Sequence, residues 1–267
     1  AHSIALLGQQ GLLEMRQGAT QLLARPTRAA AELIAQVALQ RVQPLLQVHL
    51  QTQQHLVHGR RATVGLLMLR SYVLSADTAH YDAVIRAFEA RGIACIPAFA
   101  GGLDGRPAIT AFFQNGQQTR IDALVSLTGF SLVGGPAYND SDAAVAALSA
   151  LDVPYIAAHP LEFQTLGQWA TAGSGLGPIE TTMLIALPEI DGATNPTVYA
   201  GRLGLDGCKG CAHACPGSTS SKAMSPCHER VTSLAEKTLR LASLRQMRNA
   251  TKKVGLVLFG FPPNAGA

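Results

Sequence analysis

At 267 residues the chain is long enough for one large core or two smaller domains. It is 48% hydrophobic and only 14% charged, against about 25% in ordinary globular proteins, so it is no disordered tail, and its surface is expected to be partly covered by another domain or by more chain. The net charge of +4 is uneven: Gly201 to Gly260 holds ten Lys/Arg against three Asp/Glu, but no finger spacing, RNP strand or recognition-helix pattern accompanies them, which favours a solvated or subunit-facing helix over a nucleic-acid face.

In chain order, AHSIALLGQQ lacks the basic run of a signal peptide, and no stretch approaches the roughly 18 apolar residues of a membrane span. Leu22 to His55 reads as helical, divided or kinked at Pro44, and residues 1–60 form a helical segment. From Arg61 the rhythm changes. ATVGLLMLR is a short β-rich run, followed by a helix in SADTAHYDAVIRAFEARG, the run IACIPAFA and a helix in PAITAFFQNG. IDALVSLTG reads as a strand, DSDAAVAALSALD as a helix and VPYIAAH as a strand. Short strands alternating with helices predict an α/β domain over 61–202, a doubly wound, mostly parallel sheet of Rossmann-like or flavodoxin-like type.

Residues 203–228 form a cysteine-rich loop. A basic amphipathic helix with Val231, Leu234, Leu239, Leu241 and Leu244 on one broad side follows, then a strand at Val254 to Phe261. Residues 229–267 therefore open or complete a further α/β unit. A strand at the end of the chain has nothing of its own to pair with, so the chain reads as a fragment.

In an open parallel sheet, ligands bind beyond the C-terminal ends of the strands. Three segments qualify. LTGFSLVGGPAYND offers Gly129, Gly134 and Gly135 for tight turns or close approach, then Tyr138 and Asn139, with Asn139 or Asp140 placed to cap the next helix. It matches neither GxGxxG nor the P-loop. His159 follows a strand, where it serves as a base, a ligand or a plain hydrogen-bonding residue. In PIETTMLIALPEIDG, Pro188 is expected to turn the chain out of helix, and an extended Glu189–Asp191 would point both carboxylates one way, suiting a shared proton or metal.

Four of the five cysteines, Cys208, Cys211, Cys215 and Cys227, fall within twenty residues, with Cys95 apart. That is a poor disulfide framework and favours a cytoplasmic protein. The C-x2-C-x3-C run plus Cys227 suits an iron–sulfur cluster, zinc with His213 or His228 as substitute ligands, or free thiols.

Together, TVGLLMLRSYVLSADTAHYDAVIRAFEARG, DALVSLTGFSLVGGPAYND, LDVPYIAAHPLEFQTLGQW, GPIETTMLIALPEIDGATNPTVYAGR and VGLVLFGFPPNAG resemble the magnesium/cobalt chelatase large-subunit family over about 61–267. The likeness is to the porphyrin-binding magnesium chelatase subunit, in the bacteriochlorophyll-pathway form on the evidence of the cysteine loop. The resemblance implies a longer protein that inserts Mg²⁺ into protoporphyrin IX, in the cytoplasm, with ATP used by an AAA+ motor and an adaptor subunit. That agrees with the missing P-loop. It carries the family's essential acid in ALPELDG to Glu189, in ALPEIDG here, with Asp191 as helper and both as metal-handling residues, and leaves His159 as a candidate base. It makes a [4Fe-4S] cluster on the four clustered cysteines an expectation. Phe130, Gly134, Gly135, Tyr138 and Asn139, with Phe163 and Trp169, become candidates for holding the flat macrocycle. Two other readings stand beside this one: a cobaltochelatase subunit acting on a corrinoid, and a non-catalytic module docking the motor subunits.

Overall fold

The computed structural model describes residues 61–257, apart from 101, 136–137, 214 and 218–222. The helical segment expected over 1–60, and the last residues of the strand expected at 254–261, lie outside the described residues.

The runs that alternate in the sequence become one sheet. Its strands are β1 (Ala62–Met68), β2 (Ile93–Phe99), β3 (Ala123–Ser126), β4 (Tyr155–Thr165), β5 (Thr194–Arg202) and β6 (Ser225–Pro226). Their spatial order is β6-β5-β4-β3-β1-β2. The first five are parallel, and the two-residue β6 runs antiparallel to β5. All seven residues of β1 are buried, as befits a strand flanked on both edges and covered on both faces.

Helices lie on each face. They are α1 (Arg70–Leu74), α2 (Ala79–Glu89), α3 (Arg106–Ala108, continued by a π-helical turn Ile109–Phe113), α4 (Ser141–Leu151), α5 (Leu166–Thr171), α6 (Pro178–Glu180, Thr181–Ala186 and Leu187–Ile190) and α7 (His228–Gln246). On one face, α2 buries Tyr81, Val84 and Phe88, residues three and four apart, and α7 buries Val231, Leu234 and Ala235. Both pack against Val64, Leu66 and Val125 of the sheet. The opposite face takes Ile109 and Phe113 of α3 and Ala144 and Leu151 of α4 against Leu67, Ile96 and Leu124. Alternation along β1 and β3 thus feeds two separate cores. Asp140, not Asn139, caps α4, accepting from Ala143 N–H at 3.0 Å.

Three expectations change. The helix expected to open or complete a further α/β unit, α7, packs on this same sheet. Residues 254–257 form no strand, and Val254, Leu256 and Val257 are 82–91% exposed. Pro188 does not end a helix: α6 runs through it because the wide turn Thr181–Ala186 sets the hydrogen-bond register ahead of the proline, whose missing N–H falls at the start of the next turn. Sequence reasoning also missed β5. Its Asn195-Pro196 pair reads as a turn, but proline is tolerated where the strand's outer edge meets only the short β6.

His80 and His159 are 0% and 1% exposed, with no hydrogen-bond partner for either ring nitrogen. His80 lies against Tyr81, with ring centroids 3.9 Å apart, and near Tyr72 and Tyr199. Burial pulls both histidines down to about 4. In the unfolded chain they titrate near 6.5, so below that pH unfolding takes up protons. Their stabilising contribution is whole above pH 6.5 and is lost as pH falls toward 4, at about 1.4 kcal/mol per pH unit for each. Urea unfolding at pH 7 and pH 5 is expected to show a lower midpoint at pH 5. A midpoint unchanged between the two would show that the histidines are not held neutral.

Candidate functional site

Three loops meet beyond the C-terminal ends of β1, β2 and β3. Backbone hydrogen bonds join them: Gly105 N–H donates to Leu132 O and Gly134 N–H to Leu103 O, both at 2.8 Å. They enclose a cleft of about 220 Å³ lined by Leu67–Ser71, Leu103, Ser126, Thr128, Phe130 and Ser131 among others. Tyrosines from below hold its rim. The Tyr81 Oη accepts from Leu69 N–H at 3.1 Å, and the Tyr199 Oη donates to Leu127 O at 3.2 Å. The cleft straddles β1 and β3, where chain order reverses across the sheet, the usual place for a ligand in such folds.

The glycine-rich segment builds one wall. Gly134 has φ +126°, and a Cβ there would stand 2.1 Å from Tyr138 O, so only glycine lets Gly134–Gly135 pair with Tyr138–Asn139. Phe130 and Gly134 line the cleft; Gly135 instead lies beneath Leu103. Asn139 Oδ1 accepts from Ser131 Oγ at 3.3 Å, and Tyr138 is 67% exposed. Phe163 is exposed too, whereas Trp169 packs on the Leu161–Leu166 cluster under the Arg230 guanidinium, 5.0 Å from its ring centroid.

The carboxylates separate. Because the segment is helical, residues two apart face nearly opposite ways. Glu189 is exposed; Asp191 is buried and reaches across to the glycine-rich loop. Its Oδ2 accepts from Ser131 Oγ at 2.7 Å and from Leu132 N–H at 2.8 Å. Burial raises the Asp191 carboxyl above the usual range, against the lowering effect of these bonds. The structure does not bring Glu189 and Asp191 together as the pair expected from an extended segment. Asp191 ties α6 to the cleft wall and Glu189 is exposed. His159 lies apart from the cleft as well. It is buried on β4, its Cβ 3.5 Å from where a Cβ on Gly129 would sit, and it does not line the cleft. Neither carboxylate lines it either.

Sequence reasoning missed Arg70, the charged residue in the cleft wall. The available signal was its position directly after the apolar run of β1.

The cysteine loop lies elsewhere, beside β5 and α5. Cys208 and Cys215 exchange backbone hydrogen bonds of 2.9 and 3.1 Å, and Cys208 and Cys227 are buried. Gly207, at φ +67°, makes room for this pairing: a Cβ would stand 2.1 Å from Cys215 O. Burial raises the Cys215 thiol, and Cys211, Cys208 and Cys227 raise it further. Among the described residues, no three His, Cys, Asp or Glu side chains are gathered as a metal-binding set. No helix among them is long and apolar enough to cross a membrane.

The chain is thus a mostly parallel α/β domain with a cleft at its strand ends, and its sequence matches neither GxGxxG nor the P-loop. The CobN/Magnesium Chelatase family model matches residues 5–267, and the chain belongs to that family. It is 72% identical over 212 residues to a magnesium-chelatase subunit of Cereibacter sphaeroides, covering 78% of this chain and 18% of that protein. It is 65% identical over 208 residues to the corresponding magnesium-chelatase subunit of Rhodobacter capsulatus, covering 77% and 17%. A solved "Catalytic Subunit of Cobaltochelatase from Mycobacterium tuberculosis" shares the fold, with a TM-score of 0.51 and 24% identity over 70% of this chain and 15% of that one. The chain thus spans under a fifth of the length of these relatives.

Proposed function

We propose that this chain is part of a porphyrin-binding catalytic subunit that inserts Mg²⁺ into protoporphyrin IX in bacteriochlorophyll synthesis, an ATP-dependent ligase working in the cytoplasm with an AAA+ motor and an adaptor subunit. The observation that carries the reading is the 72% identity to a magnesium-chelatase subunit over 212 residues, 78% of this chain. The parallel strand order 2-1-3-4-5 supports a doubly wound, flavodoxin-like domain, with the cleft at its switch point.

Chelation removes two pyrrole protons while a hydrated Mg²⁺, a hard ion that prefers oxygen, sheds water. An exposed carboxylate serves both needs, so Glu189 is the base or metal-delivery residue for a macrocycle lying outside the cleft. Phe130 and Tyr138 offer aromatic faces to the ring at the cleft and its rim. Asp191 holds the loop that presents them.

The C-x2-C-x3-C spacing followed by Cys227 supports a [4Fe-4S] cluster, which Cys208, Cys211, Cys215 and Cys227 would hold. Such a cluster would supply a structural tie or a redox sensor, since magnesium has little affinity for thiolate.

The test uses the full-length subunit prepared anaerobically. It is expected to quench protoporphyrin IX fluorescence with at least tenfold preference over hydrogenobyrinate diamide, and to contain iron and acid-labile sulfide. Preference for the corrinoid would move the chain to the cobalt branch. Motor-subunit binding with no tetrapyrrole binding would leave a docking module. Absence of iron and sulfide would remove the cluster.

A further inference from the structure

Arg70 follows β1 and starts α1, on the wall of the cleft. Among the described residues lining that cleft it is the single charged one. Its Nε is buried with no hydrogen-bond partner, and among the described residues no carboxylate pairs with the guanidinium. Asp191 spends its Oδ2 on the lining residues Ser131 and Leu132. Ser126 and Thr128 bond to each other at 2.9 Å. Arg70 is half-buried, and a cationic Nε–H held in the cleft wall without an acceptor favours an anion supplied from outside. The planar guanidinium fork matches a carboxylate in particular.

Size narrows the ligand. The cleft's 220 Å³ falls below the roughly 300–1,000 Å³ of pockets that enclose a whole drug-sized molecule. Its apolar wall from Leu67, Leu103 and Phe130 suits a short aliphatic arm ending in a charge.

We infer that Arg70 is a specificity-determining residue that takes one propionate carboxylate of the tetrapyrrole, the arm entering the cleft while the macrocycle stays over its mouth. This rests on the porphyrin-binding reading above and deepens it.

The experiment compares protoporphyrin IX with its dimethyl ester, which keeps the ring and arms but loses both charges. Binding to the full-length subunit is followed by fluorescence quenching, for the wild type, Arg70→Gln and Arg70→Lys. The wild type is expected to bind the free acid roughly 10- to 100-fold more tightly than the ester, the range of a charge-assisted hydrogen bond. Arg70→Gln should bind acid and ester alike, and Arg70→Lys should keep part of the preference. Ester binding by Arg70→Gln also reports that the variant is folded. If Arg70→Gln prefers the acid as strongly as the wild type, or if the wild type shows no preference, the assignment is overturned. If the wild type binds neither compound, the porphyrin-binding reading itself fails and takes this one with it.

Discussion

Glu189→Ala in the full-length subunit is expected to lower the rate of magnesium insertion by about 10²- to 10⁴-fold, the usual contribution of a positioned acid or base. Its folding stability should stay within about 0.5 kcal/mol of the wild type, because Glu189 is exposed on a helical turn that alanine also favours. Glu189→Gln, similar in shape but unable to take a proton, should be impaired as well. Steady-state chelatase assays beside thermal melts separate the two effects. Normal turnover by either variant would take Glu189 out of the mechanism.

Asp191→Ala should behave the opposite way. Ser131 retains Asn139 Oδ1 and Val133 O as acceptors, at 3.3 and 3.4 Å, but Leu132 N–H is left buried and unpaired. The loss is expected to destabilise the chain by about 2–3 kcal/mol and to loosen the cleft wall. Asp191→Asn keeps an acceptor for Leu132 N–H and should cost about half as much. Denaturant midpoints decide the stability; amide exchange at Leu132 and Val133 locates the damage. An Asp191→Ala protein as stable as the wild type would show that the contact across to Ser131 is not what holds the loop. Two carboxylates one residue apart thus give two kinds of defect, one in turnover and one in folding.

That separation was not readable from ALPEIDG. Proline before an acidic pair argues for extended chain, and in extended chain the two side chains agree in direction. The wide turn Thr181–Ala186 reverses the inference, and it depends on how Leu184 sits over Gly129 and β4. His159 raised the same difficulty. Its place after a strand-like run looked like a strand end, but β4 continues to Thr165, so the ring lies inside the sheet. Strand length is set by pairing with β5, a strand that Asn195-Pro196 concealed.

Local rules worked where one interaction dominates. The apolar runs of β1, β2 and β3 and the periodic faces of α2, α4 and α7 are visible in the sequence because burial follows side-chain alternation or a 3.6-residue period. The need for glycine at Gly134 was visible too, as was the resemblance to a chelatase large subunit, now a family match over residues 5–267.

By itself, then, the sequence determined the α/β class, the glycine-rich wall and the family. Only the tertiary structure decided which polar groups face one another. It turned Asp191 inward to Ser131, left Glu189 outside, paired the backbones of Cys208 and Cys215, and left the Arg70 Nε without an acceptor among the described residues. The reason is physical: burial and periodicity are properties of short stretches, whereas the partner of a charge lies tens of residues away and is chosen by the packing of the sheet.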